Sequence, residues 1–301
     1  MRVLVTGITG QLGHDVIVEL NRRDHKATGV VRKKTGQEEL AFVQTDLTND
    51  DAVRHVISEL HPDAVIHCAA WTAVDAAEDA ENREAVYGAN VLATRFLAEA
   101  CVSVGAKMLY LSTDYVFDGQ GTRPWQPDDK CYAPLNYYGQ TKLEGEQAVA
   151  SVLNNFFIVR TAWVFGKNGK NFIKTILNAG KTHNSVRVVN DQIGTPTYTK
   201  DLARLLVDMI ETEKYGCYHA TNGEAALGEY ISWYDFTKEI YQQAGLTTEV
   251  IPVTTAEYGL SKAVRPFNSR LDKSKLVEAG FMPLPCWKDA LHRYLEEIGE
   301  I

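Results

Sequence analysis

A β-branched run that leads straight into three evenly spaced glycines constrains this chain more than any other stretch. Arg2-Val3-Leu4-Val5-Thr6 reads as a buried strand, and Gly7-Ile8-Thr9-Gly10-Gln11-Leu12-Gly13 follows it at once. Beyond the glycines, Leu12, Val16 and Leu20 put one apolar stripe on a helix. Strand, glycine turn and helix together make a dinucleotide-binding layout. Glycines let the backbone close on a pyrophosphate, and the helix N-terminus favours its negative charge. The spacing is G-x-x-G-x-x-G, not G-x-G-x-x-G, and an ordinary glycine-rich βα turn is the plain alternative.

The βα alternation continues. Lys26 to Val31 reads as a second strand, followed by Arg32-Lys33-Lys34. No acid stands there to hold a ribose 2′-hydroxyl, whereas basic residues suit a 2′-phosphate. NADPH is therefore expected over NADH, with Arg32 as the main contact; a solvated basic loop is the bland alternative. Phe42 to Leu47 reads as a third strand with Asp46 at its end, and Asp63 to His67 as a fourth. Cys68-Ala69-Ala70 then leaves room for a ligand across the sheet edge. Helical patterns cover 50–60 and 77–104. A fifth strand, Ala106 to Leu111, ends in the polar cluster Ser112-Thr113-Asp114-Tyr115. The fold class that follows is α/β, a Rossmann-like doubly wound parallel sheet with ligands at the strand C-ends.

A sixth strand, Phe156 to Val164, precedes a mixed pattern: helices at 171–179, 199–211, 232–244, 272–279 and 287–298, and strands at 215–220 and 250–253. The expected division is a dinucleotide-binding domain over 1–165 and a smaller mixed α/β substrate-binding domain over 166–301, with 186–222 returning to the first.

Tyr138 and Lys142 open a helix four residues apart, so they share one face. An ammonium one turn away should favour the phenolate and lower the phenol pKa from near 10, giving a tyrosine able to exchange a proton with a carbonyl or alcohol oxygen. The spacing alone decides little. With 14 tyrosines in 301 residues, chance supplies about one Tyr-x-x-x-Lys match, and Tyr234/Lys238 and Tyr258/Lys262 fit it too. Context chooses the first pair, because it follows the polar strand end and the cradle; the other two read as surface or packing residues.

Composition excludes some classes. Net charge is −8 and the pI about 5.5, which argues against nucleic acid or an anionic membrane as main partner. The five cysteines are scattered without a Cys-x-x-Cys pair, as expected of reduced thiols in a cytoplasmic protein. No signal peptide and no membrane-spanning run is read.

Together these residues resemble the extended short-chain dehydrogenase/reductase family, and narrower stretches resemble its dTDP-4-dehydrorhamnose reductase branch. Those stretches are 112–119 (STDYVFDG), Pro134-Leu135-Asn136, 159–166 (VRTAWVFG), Asn171-Phe172, 191–197 (DQIGTPT) and Arg265-Pro266. The resemblance implies a catalytic set of Tyr138 as proton donor, Lys142 holding the nicotinamide ribose and lowering the Tyr138 pKa, and Thr113 on the reacting oxygen. It implies cofactor contacts at Gly10, Gln11, Leu12, Asp46, Leu47, Ala70, Trp71 and Thr72, besides Tyr138 and Lys142; Gly7, Gly13, Arg32, Ala69 and Leu111 join them from the reading of the glycine turn and the strand ends, Arg32 standing where certain relatives hold an acid. Substrate contacts follow at Thr113, Asp114, Tyr115, Trp163, Asn171 and Arg265, the last as a clamp on a diphosphate. Some relatives bridge a dimer with a metal; the matching positions here are Asp15 and Lys200, and an ammonium cannot ligate Mg²⁺, so no metal is expected.

The expected activity is NADPH-dependent (or NADH-dependent) reduction of a nucleotide-linked 4-keto-6-deoxyhexose, with a nucleotide-sugar as the small-molecule partner and a monomeric or homodimeric protein. A 4,6-dehydratase would need a second acid where Tyr115 stands. A sugar-nucleotide epimerase, or a non-catalytic nucleotide-binding subunit, are the remaining alternatives.

Overall fold

Alternating apolar runs and amphipathic helices build a seven-stranded sheet in strand order β11-β6-β5-β4-β1-β2-β3, all pairs parallel. The computed structural model describes residues 1–33, 40–226 and 228–301. In chain order the first elements are β1 (Arg2–Thr6), α1 (Gln11–Arg22), β2 (Lys26–Val31), β3 (Phe42–Gln44), α2 (Asp50–Leu60) and β4 (Ala64–His67). Then come α3 (Val74–Ala77), α4 (Arg83–Tyr87), α5 (Ala93–Val104), β5 (Lys107–Thr113), α6 (Tyr137–Val152) and β6 (Phe156–Thr161). The order reverses between β1 and β4, which opens a crevice at the strand C-ends where such sheets take ligands.

Residues alternate across the sheet as the two-residue period requires. Val3 and Val5 pack with Val16, Ile17 and Leu20 of α1, while Leu4 packs with Val53 and Ile57 of α2 and Leu97 of α5. Buried on both faces, the strands read as near-continuous apolar runs.

The second part of the chain begins with β7 (Val164–Phe165), α7 (Phe172–Thr182), β8 (Ser185–Val189), β9 (Ile193–Gly194), β10 (Thr197–Tyr198), α8 (Thr199–Ile210) and β11 (Gly216–His219). It ends with β12 (Ile231–Ser232), α9 (Trp233–Gln243), β13 (Glu249–Val253), α10 (Thr255–Tyr258), α11 (Ser274–Glu278) and α12 (Trp287–Glu297). Three two-stranded pieces, β10-β7, β12-β9 and β13-β8, replace a continuous sheet. Their core is aromatic, with Phe165, Tyr198, Phe236, Tyr241, Trp287 and Tyr294 packed together. Of 186–222, α8 lies on α1 in the core of the seven-stranded sheet and β11 joins that sheet, but β8 pairs with β13.

Several expected elements differ. The helix over 77–104 is broken into α3, a 3₁₀ turn (Ala80–Asn82), α4, a π turn (Gly88–Leu92) and α5. Asn82 Nδ2 bonds the Ala76 carbonyl at the first break. The third strand stops at Gln44, because Asp46 Oδ1 accepts from both the N–H and the hydroxyl of Thr48 and turns the chain. The fifth runs two residues further than expected, to Thr113. The sixth ends at Thr161, since Trp163 takes a left-handed φ of 51° that no strand continues through.

Candidate active site

The cradle comes first in the chain. Gly7 has φ +72°, and a Cβ there would meet the Ala69 amide nitrogen at 2.8 Å. A Cβ on Gly13 would lie 2.3 Å from the Gly7 carbonyl oxygen. Only glycines let β1, the turn and α1 approach the end of β4 this closely. α1 starts at Gln11 with extended Gly10 as N-cap and no side-chain cap. Its first-turn N–H groups therefore have no side-chain acceptor, which is the donor set a pyrophosphate takes. Leu12 packs against the core beneath.

The residues that follow β2, β3 and β4 lie along the same edge of the sheet. Arg32 follows β2, and Asp46 and Leu47 follow β3; Arg32 helps hold the Asp46 carboxyl below its usual range, after the two Thr48 bonds. Lys34 lies outside the described residues. Ala69, Ala70, Trp71 and Thr72 follow β4. The Ala69 N–H donates to Thr6 Oγ1 at 3.0 Å, and the Trp71 N–H donates to Asn90 Oδ1 at 2.8 Å. Asn90 Nδ2 reaches Thr141 Oγ1 on α6 at 3.0 Å. One bonded path thus runs from the cradle to the helix of the Tyr/Lys pair. Asn90 was not read as functional from sequence; a lone Asn in an apolar helical pattern was its only signal, and the π turn that carries it is a feature often found at sites.

α6 is started by Asn136, whose side chain accepts from the Gly139 N–H at 2.8 Å. Tyr138 and Lys142 then project from its first two turns. Tyr138 is partly open to solvent and its ring meets Tyr115 edge-on, with centroids 5.6 Å apart. Lys142 is buried, donates to the Leu111 carbonyl at 2.6 Å, and sits 4.1 Å from the centre of the Tyr110 ring.

The expected acidification of Tyr138 is overturned. Its pKa stands well above that of a free phenol, first because its surroundings are poorly solvated, then through the Asp114 charge, with only the Thr113 hydroxyl pulling it down. Lys142 is not among the groups that set it. Burial brings Lys142 itself down to about 7, against the Glu146 carboxylate one turn further on. The ammonium is turned toward β5, so sharing a helix face did not make it the partner of the phenol.

Thr113 ends β5 and Asp114 and Tyr115 open the 3₁₀ turn after it. Thr113 Oγ1 donates to Asp114 Oδ1 at 3.0 Å and accepts from the Tyr115 N–H at 3.2 Å. Asp114 is 2% exposed, and its second oxygen accepts from Ser269 Oγ, 155 residues away. Burial pushes its carboxyl up to about 6.

Arg265 arrives from the loop after α10. Its Nη2 donates to Asp75 Oδ2 at 2.6 Å and its Nη1 to Tyr115 Oη at 3.3 Å. Trp163 stacks on Trp233 with centroids 3.8 Å apart. Asn171 caps α7, accepting from the Lys174 N–H at 3.1 Å, and its Nδ2 donates to Gln11 Oε1 at 3.1 Å and Tyr294 Oη at 2.9 Å. Its amide is therefore engaged within the protein, tying the second part of the chain to the glycine turn. Asp75 and Ser269 were missed from sequence, since neither lies near a motif in the chain. Of the other Tyr-x-x-x-Lys pairs, Lys262 bonds Asp79 and Lys238 lies 5.4 Å from the centre of the Tyr234 ring. Asp15 is buried and Lys200 pairs with Glu297 at 2.7 Å; among the described residues no cluster of three or more His, Cys, Asp or Glu side chains could hold a metal.

The sequence matches the family RmlD substrate binding domain over residues 1–300. It is 37% identical over 305 residues to the dTDP-4-dehydrorhamnose reductase of Aggregatibacter actinomycetemcomitans, covering 96% of this chain and 97% of that one. It is 36% identical to the spore coat polysaccharide biosynthesis protein SpsK of Bacillus subtilis, over 98% and 97% of the two chains. Among solved structures, dTDP-4-dehydrorhamnose reductase of Bacillus anthracis in complex with NADP superposes with a TM-score of 0.89 at 39% identity, over 98% of this chain and 99% of that one. With its parallel sheet, glycine cradle and Tyr138/Lys142 helix, the chain belongs to the RmlD family of the extended short-chain dehydrogenase/reductases.

Proposed function

We propose that this oxidoreductase reduces the C4 ketone of dTDP-4-dehydro-L-rhamnose to dTDP-L-rhamnose, with NADPH preferred over NADH. The observation that supports the reading is the bonded path from the Gly7 cradle through Asn90 to α6, the helix that carries Tyr138. The cofactor, when bound, supplies the hydride.

The chain's own residues supply the rest. A phenol held above its ordinary pKa stays protonated across the neutral range, the form a proton donor needs. The Tyr138 hydroxyl gives its proton to the oxygen that becomes an alkoxide as the hydride arrives, and Thr113 donates a hydrogen bond to the same oxygen. Lys142 holds the ribose hydroxyls; with a pKa of about 7 it is the group whose charge falls away in mildly alkaline solution. Gly7, Gly10, Gln11, Leu12 and Gly13 cradle the pyrophosphate, while Ala69, Ala70, Trp71, Thr72 and Leu111 line the path to the nicotinamide. Asp46 and Leu47 flank the adenine and Arg32 faces its 2′-phosphate. Trp163, Tyr115 and Arg265 hold the nucleotide-sugar, Arg265 leaving Asp75 for a diphosphate. Residues 1–165 serve the cofactor and most of 166–301 the sugar nucleotide.

Mixing the protein with dTDP-4-dehydro-L-rhamnose and NADPH tests the reading. One NADPH oxidised per dTDP-L-rhamnose formed supports it. An isomerised sugar with NADPH unchanged would replace it with an epimerase, and unchanged reactants with a binding subunit.

A further inference from the structure

We propose that Asp114, held by Ser269, is a positioning residue that decides where Thr113 sends its hydroxyl hydrogen, and that its protonated form is the working one. The inference rests on the reading that Thr113 donates to the reacting oxygen.

A threonine hydroxyl has one hydrogen. In this site it goes to Asp114 Oδ1, and the Tyr115 N–H already occupies one acceptor position on Thr113 Oγ1. An ionised carboxylate only accepts. While Asp114 is charged, the Thr113 hydrogen is drawn away from any substrate. A protonated Asp114 reverses this bond: its O–H donates to Thr113 Oγ1, and the threonine hydrogen is released toward the cleft. Ser269 Oγ holds the other oxygen, so the carboxyl cannot simply rotate out of line.

The surroundings make the reversal reachable near neutral pH. Asp114 is 2% exposed, and burial is the first cause of its rise to about 6, opposed by the bonds from Ser269, Thr113 and its own backbone. The titratable groups facing it are the phenols of Tyr138 on α6 and of neighbouring Tyr115. The guanidinium of Arg265, from the loop after α10, is directed to Tyr115 Oη and Asp75. Because the carboxyl pKa is raised, the working form grows as pH falls through about 6 and shrinks above it. Lys142, at about 7, adds a separate alkaline decline.

The test is kcat/KM for ketone reduction by NADPH against pH, for the unsubstituted protein, Asp114→Asn and Ser269→Ala, together with a ¹³C-carboxyl NMR titration of the unsubstituted protein and Ser269→Ala. Asparagine does not titrate, so the Asp114 variant should lose the lower of the two alkaline declines and keep that of Lys142. Removing the serine hydroxyl removes a bond that favours the charged form, so the Asp114 decline and its NMR titration should both move up by about half a pH unit or more. Unchanged profiles in both variants, or an Asp114 signal titrating in the ordinary aspartate range, would overturn the proposal. Absence of ketone reduction by the unsubstituted protein at every pH would instead count against the assigned reaction, and the NMR titration would still report on the carboxyl.

Discussion

The seven-stranded sheet and the part of the chain beyond it reach one cleft by different means. The sheet side works with backbone. Gly7 and Gly13 let β1, α1 and the end of β4 come into contact, and the strand C-ends present the rest. The far side works with side chains carried across long stretches of sequence. Arg265 meets Asp75 at a separation of 190 residues and Ser269 meets Asp114 at 155. The lesson is that the glycine cradle is set by local chain geometry, whereas the Arg265–Asp75 and Ser269–Asp114 contacts exist only once the fold has closed.

That contrast can be broken or sharpened by substitution. The largest effect is expected where the two sides meet. Tyr138→Phe removes the proposed proton donor and should lower kcat by about a thousandfold, while NADPH affinity, measured by fluorescence titration, stays within a few-fold. A rate near that of the unsubstituted protein would detach Tyr138 from the chemistry.

Next comes the buried pair beneath α6. Arg160 is 1% exposed and donates from Nε and Nη2 to the two Glu146 oxygens at 2.8 and 2.7 Å. Its remaining hydrogens go to the Pro127 carbonyl, Tyr132 Oη and His219 Nε2. Glu146→Gln leaves a guanidinium buried without its counter-charge and should lower stability in urea by about 3 kcal/mol. A loss under about 1 kcal/mol would mean that the segment around Pro127 and Tyr132 is held by apolar contacts alone.

On the far side, Arg265→Ala should raise KM for the nucleotide-sugar by about ten- to a hundredfold with kcat little changed. An unchanged KM would confine Arg265 to its pair with Asp75. The smallest effect belongs to the exposed end of β2. Arg32→Ala should reduce the preference for NADPH over NADH in kcat/KM by about tenfold or less; equal values for the two cofactors before substitution would remove any role in choosing between them.

How much was legible follows from the same contrast. The strand–glycine–helix signal and the βα alternation are local, so the parallel sheet, the cradle and the start of α6 could be read directly from residues such as Gly7, Gly13 and Asn136. The break in the helix over 77–104 could not, because short 3₁₀ and π turns differ from an α-helix in which carbonyl each N–H reaches, and no residue type there marks the change. Trp163 and its left-handed φ were equally hidden, since nothing in a tryptophan's type signals it. The Tyr138/Lys142 spacing gave the right helix face but the wrong electrostatics. Spacing fixes where two Cβ atoms lie, and the Leu111 carbonyl then decided where the ammonium went. Ser269 and Asp75 carry no motif, and only the closed fold brings them to the cleft.

In the proposed reaction both sides converge on a single carbon. Reaction of dTDP-4-dehydro-L-rhamnose with NADPH deuterated at the transferring position of nicotinamide C4, followed by proton NMR of the sugar, tests this directly. Deuterium at C4 of the product hexose, with the other ring protons intact, is the predicted result. A product carrying no deuterium, or carrying it at any other carbon, would contradict it.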